Sequence, residues 1–82
     1  MQVTIKYFAS IRESIGKGSE QRETAASTLA GLRDELLAIA DIYACLSRGR
    51  AVRVALNQVM SIETVQLSEG CEVAFFPPVT GG

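Results

Sequence analysis

Residues 27–40 run Ser-Thr-Leu-Ala-Gly-Leu-Arg-Asp-Glu-Leu-Leu-Ala-Ile-Ala, and this stretch decides how the chain folds. Three leucines and an isoleucine recur there at helical spacing, at positions 29, 32, 36 and 39. Such a stripe is typical of an amphipathic helix that packs against a core. Ser27 or Thr28 suits the N-cap, because its hydroxyl oxygen can accept a hydrogen bond from the first turn. We therefore predict one main helix with its stripe in the core.

Strand patterns precede this helix. Residues 2–8 alternate so that Val3, Ile5 and Tyr7 share one face, as expected for a half-buried strand. Residues 20–24 are polar and suit an edge strand, where charges discourage pairing with other chains. The two segments are expected to form an antiparallel hairpin.

Strand patterns are also found after the helix. Residues 51–56 and 71–76 are strand-like, and Asn57-Gln58 makes a turn into a short segment at residues 59–60. The order of elements predicts an α+β fold with one helix packed on one face of a sheet. Because a single helix covers only one face, the other face should be solvated.

Two shorter helical turns are expected beside the main helix. The first holds Ile11 and Ile15, which lie four residues apart. The second spans residues 41–47, and the same spacing predicts that Ile42 and Leu46 face inward.

Composition excludes several classes of function. At 82 residues with a net charge of −1, the chain suits one small domain and has no basic surface for nucleic acid. No apolar run is long enough for a membrane span, and no signal peptide is recognisable, so we expect a cytoplasmic protein. Histidine is absent, and Cys45 and Cys71 lack metal-site spacing, so no metal site is predicted and both thiols are expected to be buried and inert. Nucleotide-binding glycine motifs are also absent.

The end of the sequence, Phe-Phe-Pro-Pro-Val-Thr-Gly-Gly, predicts where chemistry takes place. It has no ionisable side chain, so its one charge is the terminal carboxylate. Gly81 and Gly82 lack Cβ atoms and can enter a channel too narrow for other residues. Pro77 and Pro78 stiffen the approach to them. We therefore predict that residues 77–82, called the tail below, form a slim reactive end, the alternative being an ordinary frayed terminus.

A partner surface is predicted beside the tail. If Val3 and its alternate neighbours face the helix, Phe8 points to the other face of the sheet, and the same argument places Phe76 there. Arg53 and Met60 would lie nearby, and Arg12 could add charge at the border. Exposed aromatic and methionine side chains are enriched in interface cores. The alternative is that Phe8 lies under the short helix and Phe76 under the tail.

Four segments of the sequence together form a recognisable set, of which the last is long and specific: Tyr7-Phe8-Ala9 with Ile11-Arg12-Glu13, Thr28-Leu29, Val54-Ala55-Leu56-Asn57-Gln58, and Gly-Cys-Glu-Val-Ala-Phe-Phe-Pro-Pro-Val-Thr-Gly-Gly at residues 70–82. With them the chain resembles the small, sulfur-carrier subunits of molybdopterin synthase. That family has the β-grasp (ubiquitin-like) fold, so the resemblance implies a mixed sheet in a single domain over residues 1–82.

The resemblance implies a cycle of reactions at Gly82. An adenylating enzyme, similar to those that activate ubiquitin, would use ATP to adenylate its carboxylate. A sulfur donor, a sulfurtransferase, would then convert the acyl-adenylate to a thiocarboxylate. In the active site of the large synthase subunit, this sulfur would be transferred to cyclic pyranopterin monophosphate. The residues that insert into that active site would be Pro77, Pro78, Val79, Thr80 and Gly81.

The resemblance also implies how the work is divided between subunits. The carrier would be non-catalytic alone and bind no cofactor of its own, and the catalytic side chains would lie on the large subunit. Two carriers and two large subunits would form a heterotetramer. The activating enzyme and the large subunit would use one docking face in turn, for which the sequence predicts Phe8, Arg12, Met60 and Phe76.

Three other interpretations stay open. A carrier for thiamin synthesis or tRNA thiolation would use the same tail chemistry, although the Phe-Phe-Pro-Pro neck favours the molybdopterin family. A protein modifier would join Gly82 to lysines, and a ubiquitin-like interaction domain would not need its terminal glycines. Two departures from the family are mild: Cys71 replaces a residue that is more often acidic or polar, and residues 20–26 match nothing distinctive.

Overall fold

The structure is a computed structural model, and it describes residues 1–47 and 49–78. Its elements in chain order are β1 (Gln2–Tyr7), α1 (Ala9–Ile15), β2 (Ser19–Glu23), α2 (Leu29–Ile39), a 3₁₀ helix (Asp41–Leu46), β3 (Arg53–Leu56), β4 (Val59–Ser61) and β5 (Glu72–Phe76).

The five strands form one mixed sheet in the order β2-β1-β5-β3-β4. The first and last strands of the chain lie side by side in parallel, and the other neighbouring pairs are antiparallel. Both predicted strands of the N-terminal hairpin are present, and β2 lies at an edge. With α2 covering one face, this topology is the β-grasp arrangement, so the predicted fold class is confirmed.

The core lies between α2 and the inner face of the sheet. Alternate residues of β1 and β5 point into it, and the leucines of α2 meet them there. The buried side chains of these three elements are Val3, Ile5, Tyr7, Leu29, Leu32, Leu36, Val73 and Phe75. Alternation in the strands and helical spacing in α2 therefore predicted this packing correctly.

The start of α2 is fixed by one of the two predicted caps. The Oγ1 atom of Thr28 accepts a hydrogen bond from the Gly31 N–H at 3.1 Å, which satisfies an otherwise unpaired first-turn donor. The segment before β5 also binds the first turn of α2, because the Leu29 N–H donates a hydrogen bond to the Val65 carbonyl at 3.0 Å. Thr28 is thus the cap, and backbone hydrogen bonds anchor the start of α2 to the segment before β5.

Two apolar side chains predicted to face inward are exposed instead. Ile39 is 51% exposed and Ile42 is 48% exposed. A 3₁₀ helix has three residues per turn, so residues three apart share a face. Tyr43 and Leu46 therefore face the core, whereas the prediction rests on the four-residue spacing of an α-helix. Ile39 is the last residue of α2, and Tyr43 covers the core beyond it.

The strand predicted over residues 51–56 begins two residues later, at Arg53. Arg53 pairs with Phe76, so the antiparallel register would set residues 52 and 51 opposite Pro77 and Pro78. Proline has no backbone N–H and cannot continue the ladder. The two prolines therefore end β5, as predicted, and also delay the start of β3.

Candidate docking face and base of the tail

The outer face of the sheet, opposite α2, has two neighbouring alanines at its centre, Ala55 and Ala74, which we call the alanine floor. Lys6, Ala74, Ala55 and Met60 are neighbours in register across four strands. Ala74 and Ala55 are buried although no helix covers them. These two side chains end at Cβ, and the longer side chains of Lys6 and Met60 flank them in register.

Phe8 and Phe76 form the aromatic end of this face. Their rings stack with centroids 4.8 Å apart and planes 15° from parallel. Phe8 is 41% exposed, and Phe76 is half-buried. The two rings cover each other rather than packing separately under α1 and under the tail.

Phe8 is held in place by its backbone as well as by its ring. Its N–H donates to the Phe75 carbonyl at 3.2 Å, and its carbonyl accepts from the N–H groups of Ile11 and Arg12. Ala9 comes next with φ of +50°, a left-handed conformation that is costly for a residue with a Cβ atom. This turn directs the Phe8 side chain to the outer face while the chain enters α1.

An apolar groove of about 410 Å³ lies beside the stacked rings. Arg53 supplies a cation at its wall, and Met60 is largely exposed there. We call this surface the docking groove, and its lining residues are Phe8, Ala9, Arg53, Met60, Phe76, Pro77 and Pro78. The structure thus brings three of the four predicted docking residues together at the base of the tail.

Arg12, the fourth predicted docking residue, does not line the docking groove. It lines a polar groove next to it together with Lys17 and Gly18, and a Cβ atom added at Gly18 would meet the Arg12 Nε atom at 3.1 Å. Arg53, rather than Arg12, supplies the positive charge at the border of the docking groove.

The base of the tail lies between two grooves. Pro77 and Pro78 line the docking groove on one side and a second groove of about 340 Å³ on the other. The second groove runs between α1 and the segment before β3, where Ser10, Ser14 and Arg50 supply polar groups. The sequence did not predict this second groove.

The predicted reactive end itself lies outside the described residues. This applies to Val79, Thr80, Gly81 and Gly82. The roles predicted for these four residues therefore stay predictions, and the geometry that bears on them is that of Pro77 and Pro78.

A cluster of charged and phenolic groups lies away from the docking groove, between β2 and the 3₁₀ helix. The phenol groups of Tyr7 and Tyr43 donate to Glu20 Oε2 at 2.8 and 2.7 Å, and Arg22 contacts Glu20 Oε1 at 3.1 Å. Burial alone would raise the pKa of Glu20, but the hydrogen bonds from Tyr43, Tyr7 and Lys17 outweigh it and lower that pKa. Burial, followed by the Glu20 carboxylate, raises the pKa of Tyr7.

The two cysteines differ in exposure. Cys71 is buried, as predicted, and Cys45 is half-buried at the second groove. Burial raises the pKa of the Cys45 thiol, which favours the less reactive protonated form.

Within the described part of the chain, His, Cys, Asp and Glu form no group of three that could hold a metal ion. In the same residues, no helix has the length and apolar character needed to cross a membrane.

Comparison of the sequence with known proteins gives matches over nearly its full length. The model of the ThiS family matches residues 5–82. The molybdopterin synthase sulfur carrier subunit of Escherichia coli is 34% identical over 80 residues, which cover 98% of this chain and 99% of that protein. The subunit of the same name from Haemophilus influenzae is 37% identical over 81 residues, with the same coverage of both chains.

Solved structures share the fold. SAMP1 from Haloferax volcanii superimposes with a TM-score of 0.78 at 22% identity, and the match covers all of both chains. A second match is one chain of the complex between subunits 1 and 2 of the molybdopterin-converting factor from Helicobacter pylori. It superimposes with a TM-score of 0.70 at 24% identity, again over the whole of both chains. At these identities the likeness establishes the fold alone.

Proposed function

The chain belongs to the ThiS family, and on that premise we propose that it is the sulfur carrier of a molybdopterin synthase. In this proposal Gly82 carries a thiocarboxylate and donates its sulfur to cyclic pyranopterin monophosphate in the active site of a large subunit. The names of the two bacterial relatives support this choice over the related sulfur carriers of other pathways.

One observation carries the proposal at the level of structure: the docking groove adjoins the base of the tail. Phe8, Met60 and Phe76 place apolar surface directly beside Pro77. A partner that covers this groove would therefore receive a tail without ionisable side chains. Such an arrangement suits a protein that delivers its own terminus into another protein's active site.

The chemistry at Gly82 requires activation before sulfur can be added. A terminal carboxylate has a pKa of roughly 3.3–3.7, so it is ionised at neutral pH and resists nucleophiles. In the first proposed step, a carboxylate oxygen attacks the α-phosphate of ATP on the adenylating enzyme and pyrophosphate leaves. The outer sulfur of a persulfide on the sulfur donor then displaces AMP from the acyl-adenylate and forms an acyl disulfide. A thiol cleaves the S–S bond of that intermediate and becomes part of a new disulfide, which leaves a thiocarboxylate on Gly82.

The large subunit would supply the acid, base and pterin contacts. The carrier has no histidine, the residue most often used for proton transfer near neutral pH. Its contribution is the docking groove and a narrow tail that lets the partner exclude water. The adenylating enzyme and the large subunit would use the same groove in turn, and a heterotetramer of two carriers and two large subunits would be the working assembly.

Deletion of Gly82 tests the assignment of the sulfur site. We expect the shortened protein to unfold at the same denaturant concentration as the full chain, because every described element is retained. Sulfur transfer to the pterin precursor, measured with the large subunit, should be abolished. Transfer that survives the deletion would contradict the carrier role. If the full chain instead supplies sulfur to a thiamin precursor or to tRNA, it is a carrier of a related pathway.

A further inference from the structure

The tail leaves the sheet at a point where ordinary backbone hydrogen bonds stop. Phe76 is the last residue of β5, and the two prolines after it have no N–H to donate. Donation from the backbone of Pro77 and Pro78 therefore cannot set their direction, which leaves a role for packing and for the orientation of Phe76.

Phe8 is the side chain best placed to fix that orientation. Its backbone has three hydrogen bonds, one to Phe75 and two to the first turn of α1. Its ring lies almost parallel to that of Phe76 at 4.8 Å, within the range in which aromatic pairs attract. Phe8 and Pro77 also line the same docking groove.

We propose that Phe8 is a positioning residue for the tail: through its stack with Phe76, it sets the direction in which Pro77 and Pro78 leave the sheet. This inference rests on the proposed function for its biological meaning. A partner channel accepts a tail more easily when the tail already points toward it, because less conformational freedom is lost on binding. Phe8 would thus act on delivery of Gly82 through Phe76, besides any contact with the partner.

The free protein tests the positioning role without a partner. Residual dipolar couplings of the Cα–Hα bonds of Pro77 and Pro78 report how well their orientation is defined. In Phe8→Ala we expect these couplings to shrink by roughly half as the prolines sample more orientations, while the couplings of β5 stay unchanged. Phe8→Tyr keeps the ring and should match the unsubstituted protein. Unchanged proline couplings in Phe8→Ala would overturn the inference.

Met60→Ala is the matched control. Met60 lines the same groove and is 56% exposed, but it is not part of the aromatic stack. Its replacement should leave the proline couplings unchanged. A loss as large as that of Phe8→Ala would mean that the groove as a whole, rather than the stack, orients the tail, and would also overturn the inference.

Binding to the large subunit links the orientation to function. Gly81→Trp provides a full-length chain whose tail is too wide for a narrow channel. We expect Phe8→Ala to weaken binding about tenfold more in the normal chain than in the Gly81→Trp chain, because contacts that act through one another are not additive. Equal losses in both chains would contradict a role in tail delivery. If the unsubstituted chain does not bind the large subunit, the proposed function fails, and the couplings in the free protein still decide the positioning role.

Discussion

At the scale of single residues, left-handed backbone at residues other than glycine marks two sharp turns in the described part of the chain. Ala9 lies at the junction of β1 and α1, and Asn57 and Gln58 connect β3 to β4 with φ of +49° and +69°. Consecutive left-handed residues form the turn that matches the twist of a two-residue hairpin. Asn57 suits this conformation, and its Oδ1 atom also accepts the Glu72 N–H at 2.9 Å. Gln58 has neither advantage.

Gln58→Gly should therefore stabilise the protein. Glycine adopts positive φ without a Cβ penalty, and we expect a gain of about 1 kcal/mol in the free energy of unfolding. Urea unfolding of the variant beside Gln58→Ala makes the comparison, since alanine removes the side chain but keeps the strained Cβ. If both substitutions change the stability equally, strain at this position is not the cause.

Phe75 and Phe76 are adjacent but should respond differently to truncation. Phe75 is fully buried beneath α2, so Phe75→Ala should cost about 3–5 kcal/mol of stability. Phe76 is half-buried and stacks on Phe8, so Phe76→Ala should cost only about 1 kcal/mol and should mainly weaken partner binding. Thermal unfolding and a binding titration measure the two effects. A stability loss for Phe76→Ala as large as that for Phe75→Ala would show that its side chain belongs to the core.

At the scale of elements, β2 differs from an ordinary polar edge strand. Glu20 pairs with Ile5 across the hairpin, so its side chain points to the inner face. There it accepts hydrogen bonds from the phenols of Tyr7 and Tyr43. Through these hydrogen bonds the carboxylate connects β2 to β1 and to the 3₁₀ helix.

The lowered pKa of Glu20 predicts the pH dependence of this contribution. A carboxyl whose pKa is lower in the folded protein stabilises it at pH above the ordinary value of 4.5, and the contribution disappears as the pH falls through the lowered value. Glu20→Gln should therefore cost about 1–2 kcal/mol at neutral pH and much less at the acid end. Urea unfolding at several pH values measures this change. Glu13→Gln, at an exposed residue of α1, removes one carboxylate of the same kind and is the control. A pH-independent loss in Glu20→Gln would contradict the account.

Element by element, the sequence predicted the parts that keep a regular period and missed those that depend on a change of period. Leu29, Leu32 and Leu36 of α2 and the alternate residues of β1 are buried as predicted. The error at Ile42 came from applying α-helical spacing to a 3₁₀ helix, which sequence alone did not reveal. Arg33 was also missed, because its spacing marks it as part of the helix surface. It is buried and donates to the Leu46 and Ser47 carbonyls while pairing with Glu63 at 2.9 Å.

At the scale of the whole molecule, the two faces of the sheet serve different purposes. The inner face carries the core under α2, and the outer face carries an alanine floor with an aromatic end beside the tail. Strand alternation was sufficient to predict that Phe8 and Phe76 point outward. The stacking of the two rings, the position of Arg12 in a separate groove and the second groove beside the tail depend on how distant segments of the chain pack together. The local periodicity of a sequence does not predict contacts between segments that are far apart in the chain.

The central claim is that Gly82 carries the sulfur, and mass spectrometry of the C-terminal fragment tests it most directly. The protein is incubated with ATP, the adenylating enzyme and a sulfur donor, and then cleaved. Exchange of a terminal oxygen for sulfur adds nearly the same mass as oxidation of one methionine or cysteine. The shift must therefore be located on a fragment that contains Gly82 but neither Met60 nor Cys71. We predict a shift confined to that fragment and lost when ATP is omitted. An unmodified fragment, with an adenylating enzyme whose activity is verified on another sulfur carrier, would contradict the account.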